Sequence, residues 1–204
     1  MLLDFDYTLV DASVCLFAGL HAGLAAIGVS PPEPAALKRL IGIPLRDQFA
    51  MLAPSSSAVY HVFETAYLRA RDAHEVDGIV AIKGAAVALR SLTTAHMTTA
   101  IISTAARGRI ERALERLCLA AYITDGVVAG SHDKASALRT ARARFDGLGE
   151  LVYVADRPDD AEAAATAGTG FIGVCTGAFG PAEFPPRTRT VPSIASVPAA
   201  LGLG

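Results

Sequence analysis

The feature that most constrains this chain is a series of short aliphatic runs, each bounded by turn residues and separated from the next by helical periodicity. The runs are "MLLDFD" at the start, "TTAIIST" (98–104), "YITDGVVAG" (122–130), "LVYVADRP" (151–158) and "GFIGVCTG" (170–177). Strands that are apolar almost throughout are covered on both faces, which is the habit of parallel sheets. Between the runs, "ARGRIERALERLCLA" puts Ile110, Leu114 and Leu117 on one helical face, with arginines and glutamates opposite. "DKASALRTARARF" and "DDAEAAATAG" also read as helices, the second closed by Gly168. Strand and helix in repeated alternation predict an α/β fold with a doubly wound parallel sheet.

Residues 11–82 break the alternation. "DASVCLFAGLHAGLAAIG" spaces Phe17, Leu20, Leu24 and Ile27 as a helix does, with Asp11 or Ser13 as its cap and Gly28 as its end. Pro34 of "SPPEP" opens a second helix, and "PLRDQFAML" and "SSSAVYHVFETAYLRARDAH" supply further helices. The reading is an α/β core of residues 1–10 and 83–204, interrupted by an all-helical insert of residues 11–82.

Composition narrows the function. Of 204 residues, 52% are apolar and 19% charged, so the chain is globular and long enough for one sizeable core with an insert. A formal charge of −2 provides no footprint for nucleic acid and no basic patch for a membrane surface. No apolar run approaches the roughly 18 residues of a membrane span, and no signal peptide opens the chain, so a cytoplasmic protein is expected. Cys15, Cys118 and Cys175 stand far apart in apolar stretches and read as buried free thiols, without metal-ligand spacing.

In an open α/β sheet, ligands bind beyond the carboxyl ends of the strands. The first run ends in Asp4 and Asp6, the second in Ser103 and Thr104, and the fourth in Asp156, with Asp160 four residues on; Lys134 opens the helix before that strand. Four acids, a hydroxyl and a lysine at one edge form an oxygen-rich set that suits a hard cation, above all Mg²⁺. A lysine and a hydroxyl beside such an ion suit the oxygens of a phosphoryl group. One carboxylate can attack phosphorus while its neighbour moves the proton. The remaining candidates keep two readings. Arg46, Arg107 and Arg109 read as groups for an anionic substrate or as surface arginines, and Arg157 could pair with Asp156. His132, two residues before Lys134, could approach the site. His21, His61, His74 and His96 have no spacing that suggests a metal.

The segment "DFDYTL" resembles the D-x-D-x-T-L signature of the haloacid dehalogenase superfamily, most of whose members are phosphatases. "AIISTAARGRIERALERL" resembles its second motif, Lys134 in "GSHDKASALRTA" its third, and "YVADRPDDAEAAATAG" its fourth, usually G-D-x-x-x-D. The insert after the first motif is similar to the helical cap of the phosphoglycolate phosphatase-like branch, as is "IGIPLRDQF" within it. This resemblance implies a Rossmann-like core and a Mg²⁺-dependent phosphatase for a small phosphorylated metabolite. It implies Asp4 as nucleophile and metal ligand, and Asp6 as general acid/base that also gives its backbone carbonyl to the metal. Thr8 would brace the loop, Ser103 and Lys134 would hold phosphoryl oxygens with Thr104 alongside, and Arg46 would reach substrate. Asp156 would ligate the metal, with Asp160 rather than Asp159 completing the site.

Three positions depart from the family pattern. Ala155 replaces the glycine before Asp156, Lys134 lacks flanking prolines, and Tyr7 replaces the glycine of the first motif. Tyr7 is expected to need a backbone conformation comfortable for a bulky residue and to lie at the pocket or its entrance. Only three residues precede Asp4, against roughly 5–6 in a usual strand, so either a start upstream of Met1 or a truncated first strand is expected. Rival readings are a phosphomutase acting on a sugar phosphate and a binding protein that has lost turnover. A 2-haloacid dehalogenase is disfavoured by the acid at position 6. The oligomeric state leaves no sequence signature.

Overall fold

Six strands make one parallel sheet in the computed structural model, which describes residues 1–55, 57–130, 133–147 and 149–203. In chain order the strands are β1 (Leu2–Leu3), β2 (Val10–Asp11), β3 (Val80–Ala81), β4 (Ala100–Ile102), β5 (Val127–Val128), β6 (Val152–Ala155), β7 (Gly170–Val174) and β8 (Arg189–Val191). The large sheet has the order β5-β4-β1-β6-β7-β8, and β2 pairs with β3 in a separate two-stranded sheet. The helices are α1 (Ser13–Ala26), α2 (Pro34–Leu40), α3 (Leu45–Leu52), α4 (Tyr60–Ala73), α5 (Glu75–Gly78), α6 (Ala85–Thr94), α7 (Arg107–Arg116), α8 (Lys134–Arg144), α9 (Pro158–Ala167) and α10 (Val197–Ala200). The chain divides into two compact units, one of Met1–Val10 with Ala81–Gly204 and one of Asp11–Val80. No helix among the described residues is long and apolar enough to cross a membrane.

β1 lies in the middle of the sheet, with Leu2 opposite Ala100 of β4 on one side and Tyr153 of β6 on the other. Two residues suffice for this strand because neighbours hold it on both sides. Asp4 N–H continues the ladder to the Val154 carbonyl at 2.9 Å, and Ala100 N–H reaches the Met1 carbonyl at 3.0 Å. One face of the sheet packs Leu2, Ile102, Tyr153 and Ala155 against Leu138 and Ala141 of α8 and Ala164 and Ala167 of α9. Because β4 and β6 flank β1 while the chain visits β4 and β5 before β6, the strand order reverses at β1. A crevice opens at such a reversal, at the carboxyl ends of the strands.

Residues 5–10 fold back on themselves directly after β1. The Phe5 carbonyl accepts from Thr8 N at 3.3 Å, Leu9 N at 2.9 Å and Val10 N at 3.2 Å, and Tyr7 N donates to the Val10 carbonyl at 2.7 Å. This turn holds Tyr7 at φ +55°, a left-handed conformation that glycine adopts without strain. The expectation of a comfortable backbone is corrected: the tyrosine occupies the conformation of the glycine it replaces. Its side chain is 2% exposed and belongs to the core. The left-handed backbone costs about 1–2 kcal/mol, whereas emptying the volume of a large buried aromatic costs about 3–5 kcal/mol. Tyr7→Gly is therefore expected to destabilise the protein by about 2 kcal/mol in urea denaturation; a more stable variant would show that strain outweighs packing.

The helical unit has its own core of Leu20, Leu24, Leu37, Leu40, Phe49, Phe63 and Tyr67. α1 and α4 approach closely because α1 carries glycines where they meet. A Cβ on Gly19 would come within 2.8 Å of the Tyr67 ring, and one on Gly23 within 2.7 Å of the Phe63 ring. α2 begins at Pro34, as the sequence suggests. α1 differs from expectation at its start: Ala12 is the N-cap residue, and Asp11 accepts from Ser13 N at 2.8 Å instead of capping the helix. The third aliphatic run also shrinks, to Val127 and Val128, with a 3₁₀ turn at Ala120–Tyr122 ahead of it. Of the three free cysteines, Cys15 is buried, Cys175 half-buried and Cys118 exposed, which corrects the reading of all three as buried.

Candidate functional site

The acids at the sheet edge come from three places. Asp4 follows β1, Asp156 follows β6, and Asp160 lies in the first turn of α9, whose N-terminal proline presets the helix. All three are buried, at 4%, 3% and 3% exposure, and one oxygen of each lies within 4.8 Å of the others. Asp159, the next-door alternative, is solvent-exposed and bound by Arg157, whose Nε donates to it at 2.9 Å. Arg157 thus takes Asp159 as its partner, and its guanidinium lies over the Phe179 ring at 5.3 Å.

Lys134, the first residue of α8, sends its ammonium into this cluster. It lies 2.9 Å from Asp160 Oδ1 and 3.3 Å from Asp4 Oδ1, and it donates to the Tyr153 hydroxyl at 2.8 Å. The Asp133 carboxylate caps the helix by accepting from Ser136 N, which fixes where α8 begins and hence where Lys134 points. Tyr153 donates in turn to the Ile102 carbonyl at 3.3 Å, tying the lysine to β4 and β6 together.

Burial pushes the Asp4 carboxyl up to about 6, with the charge of Lys134 opposing the shift and that of Asp160 adding to it. Burial raises Asp156 well above the ordinary carboxylate range, reinforced by Asp4 and Asp160. Asp160 is raised by the same loss of water, against the pull of Lys134. For Lys134 burial alone would lower the value, but Asp160 and Asp4 outweigh it and hold the ammonium well above its usual range.

These residues fit a divalent cation. Three buried carboxyls share one ammonium among them, burial and the charge of neighbouring acids raise all three, and the donors are all oxygens. Asp160 Oδ2 is buried with no hydrogen-bond partner, as a ligand atom would be before its ion arrives. The loop after β7 also comes close enough to wall the site: a Cβ on Gly177 would stand 1.9 Å from Asp156 Oδ2. A carboxyl with a raised folded-state value adds stability below its unfolded value near 3.8 and loses it as pH rises through the folded value of about 6. The metal-free protein should therefore lose this contribution between about pH 4 and 6. A divalent cation, which takes only the ionised form, should restore it above that window. The rise in Tm on adding a divalent cation is expected to be larger at pH 7.5 than at pH 5; equal rises would contradict a site built from these acids.

The remaining expected residues fall as follows. Ser103 follows β4, is 1% exposed, and accepts from Ala105 N at 3.2 Å, which orients its hydroxyl. Thr104 is the next residue along this loop and is half-buried. Thr8 is fully buried, its Oγ1 without a hydrogen-bond partner. Arg46 stacks over the Tyr60 ring at 4.7 Å within the helical unit. His132 lies outside the described residues. Asp6, though two residues from Asp4, stands apart from the three-acid cluster, its carboxylate gripped by Arg109 through NH1 at 3.0 Å and NH2 at 2.9 Å.

Tyr153 is a site residue that the sequence reading misses, and Arg109 has a different place from either one expected of it; both leave a trace. Arg109 falls on the same face of α7 as Ile110, Ala113 and Leu114, an arginine in an apolar stripe, and it is 5% exposed. It is neither a surface residue nor one awaiting an anion. Tyr153 is a hydroxyl inside an otherwise aliphatic strand.

Residues 1–174 match the family model described as haloacid dehalogenase-like hydrolase. No curated protein matches the chain. Among solved structures, a Bacteroides fragilis protein described as a haloacid dehalogenase-like hydrolase is 26% identical, with a TM-score of 0.87, covering 96% of this chain and 97% of its own. A haloacid dehalogenase-like family hydrolase from Streptococcus pneumoniae is 18% identical at a TM-score of 0.86, covering 98% and 96%. A Haemophilus somnus protein described as a predicted phosphoglycolate phosphatase is 14% identical at 0.83, covering 98% and 96%. The last two likenesses concern the fold. The chain belongs to the haloacid dehalogenase-like hydrolases, and the buried cluster of Asp4, Asp156 and Asp160 is consistent with a catalytic member of that family.

Proposed function

We propose that this hydrolase is a Mg²⁺-dependent phosphatase that cleaves a small phosphorylated metabolite through an aspartyl phosphate on Asp4. The observation that carries the reading is the placement of Lys134 between Asp4 and Asp160, with Asp156 beside them in one buried cluster of acids. Asp4, Asp156 and Asp160 would hold Mg²⁺ with the Asp6 backbone carbonyl, so that the two acids of the first motif, Asp4 and Asp6, are divided in role. Bound there, the ion neutralises negative charge at a site that must accept a phosphoryl dianion.

The chain's own residues supply the rest. Lys134 and the Ser103 hydroxyl bind non-bridging phosphoryl oxygens and set phosphorus in line with the Asp4 carboxylate. The Asp4 oxygen attacks phosphorus, the ester bond to the leaving group breaks, and Asp6, once protonated and so released from the Arg109 fork, gives its proton to the departing oxygen. Asp6 then takes a proton from water as that water attacks the acyl phosphate, which releases phosphate and regenerates Asp4. The buried position of the acids keeps competing water from Asp4 until the second step.

The deciding assay is turnover of p-nitrophenyl phosphate with Mg²⁺ and with a chelator, followed by a panel of phosphorylated metabolites. Metal-dependent release of inorganic phosphate supports the reading. An isomerised product without free phosphate would assign a mutase, and binding without turnover in any condition would remove the enzyme reading.

A further inference from the structure

The first motif places two carboxylates two residues apart, yet only one joins the acid cluster. Asp4 meets Asp156 and Asp160 within 4.8 Å, while Asp6 does not. The two are close enough for the charge of Asp6 to act on Asp4. A free carboxylate at that distance, on a side chain only 12% exposed, would be drawn to any cation bound among the other three. What prevents this is visible: both Asp6 oxygens accept from the Arg109 fork, at 2.9 and 3.0 Å. The guanidinium is itself fixed, buried on the apolar face of α7 and lying 5.6 Å from the Phe5 ring centroid. A planar two-point fork sets the orientation of a carboxylate in a way a lysine cannot.

We propose that Arg109 is a positioning residue that withholds the Asp6 carboxylate from the cation cluster. Lys134 and Arg109 then sort the acids between them: Lys134 takes Asp4 and Asp160, Arg109 takes Asp6. The inference rests on the reading of the cluster as a divalent-cation site. It adds a residue to which that reading assigns no role.

Mn²⁺ affinity by calorimetry tests it, on wild type, Arg109→Met, Asp6→Asn and the double variant. Arg109→Met frees Asp6 to enter the cluster and is expected to tighten Mn²⁺ binding by on the order of tenfold. Removing a cation also tightens binding by simple charge, so the same substitution in the Asp6→Asn background measures that part alone, and the excess belongs to Asp6. A merely structural role for Arg109 would produce no such excess.

If Arg109→Met fails to fold because Asp6 is left unpaired, Arg109→Lys serves: it keeps the charge, loses the fork, and should show the same excess in smaller measure. Tightening that is equal in both backgrounds overturns the inference while leaving the phosphatase reading intact. Absence of Mn²⁺ binding by wild type removes the cation reading and the inference with it.

Discussion

Asp4→Asn is expected to lower phosphate release by on the order of 10⁴-fold or more while leaving the fold in place. The substitution conserves shape and removes only the charge and the nucleophilic oxygen. Asp4 is buried and its carboxyl is raised to about 6, so removing the charge relieves a desolvation cost that offsets part of what it loses. The lost contact is the one to Lys134 at 3.3 Å, and that ammonium keeps Asp160 at 2.9 Å and Tyr153 at 2.8 Å. Thermal unfolding should thus shift by only a few degrees in either direction, on the order of 1 kcal/mol. Activity near that of wild type would take the nucleophile away from Asp4. Inactivity with a collapsed melting curve would make the substitution uninformative about chemistry, which is why both are measured on one preparation.

Lys134→Met should produce the largest loss of stability, and one that depends on metal. The methionine fills the stem but leaves Asp4, Asp156 and Asp160 buried together without their cation. Breaking a buried ion pair from one side costs about 3–5 kcal/mol, which for a chain of this size lowers Tm by on the order of 10 °C at pH 8 in chelator. A saturating divalent cation should recover much of that loss, because it neutralises the same carboxylates. Lowering the pH through 6 should shrink the difference between variant and wild type, since acids without Lys134 protonate more readily still. Phosphate release should fall even with metal present, because Lys134 also binds the phosphoryl group. A drop in Tm that no cation reverses would place Lys134 in the scaffold instead of the site.

Much of this was legible from residue order alone, for identifiable reasons. Buried parallel strands are nearly all apolar, so Asp4, Ser103 and Asp156 stand out as the polar residues that end them. The G-D-x-x-x-D spacing of the family's fourth motif selects Asp160, which the structure turns inward, over Asp159, which it turns to solvent. Local periodicity does not reach the rest. β8 and the β2–β3 pair consist of two or three residues each, too short for any alternation to register. The shape of the turn at Tyr7 is set by hydrogen bonds to Phe5 and Val10 that position 7 itself does not specify. Arg109 and Asp6 are 103 residues apart in the chain, and only the pairing of β1 with β4 brings them together. The arginine could be noticed on its helix, but its partner could not be named.

The pairing of β1 with β6 has a consequence for how this chemistry can fail. Leu2 faces Tyr153 and Leu3 faces Val154, so Asp4 continues the face that carries the Tyr153 hydroxyl, toward which Lys134 reaches. Side chains alternate along a strand, and a slip of one residue would turn Asp4 to the opposite face, away from its lysine. The sheet is thus a vernier with a single usable notch. Substitutions in surrounding helices can tune rates by degrees, but an error of alignment in the shortest central strand would switch the site off entirely, with no half-active form between.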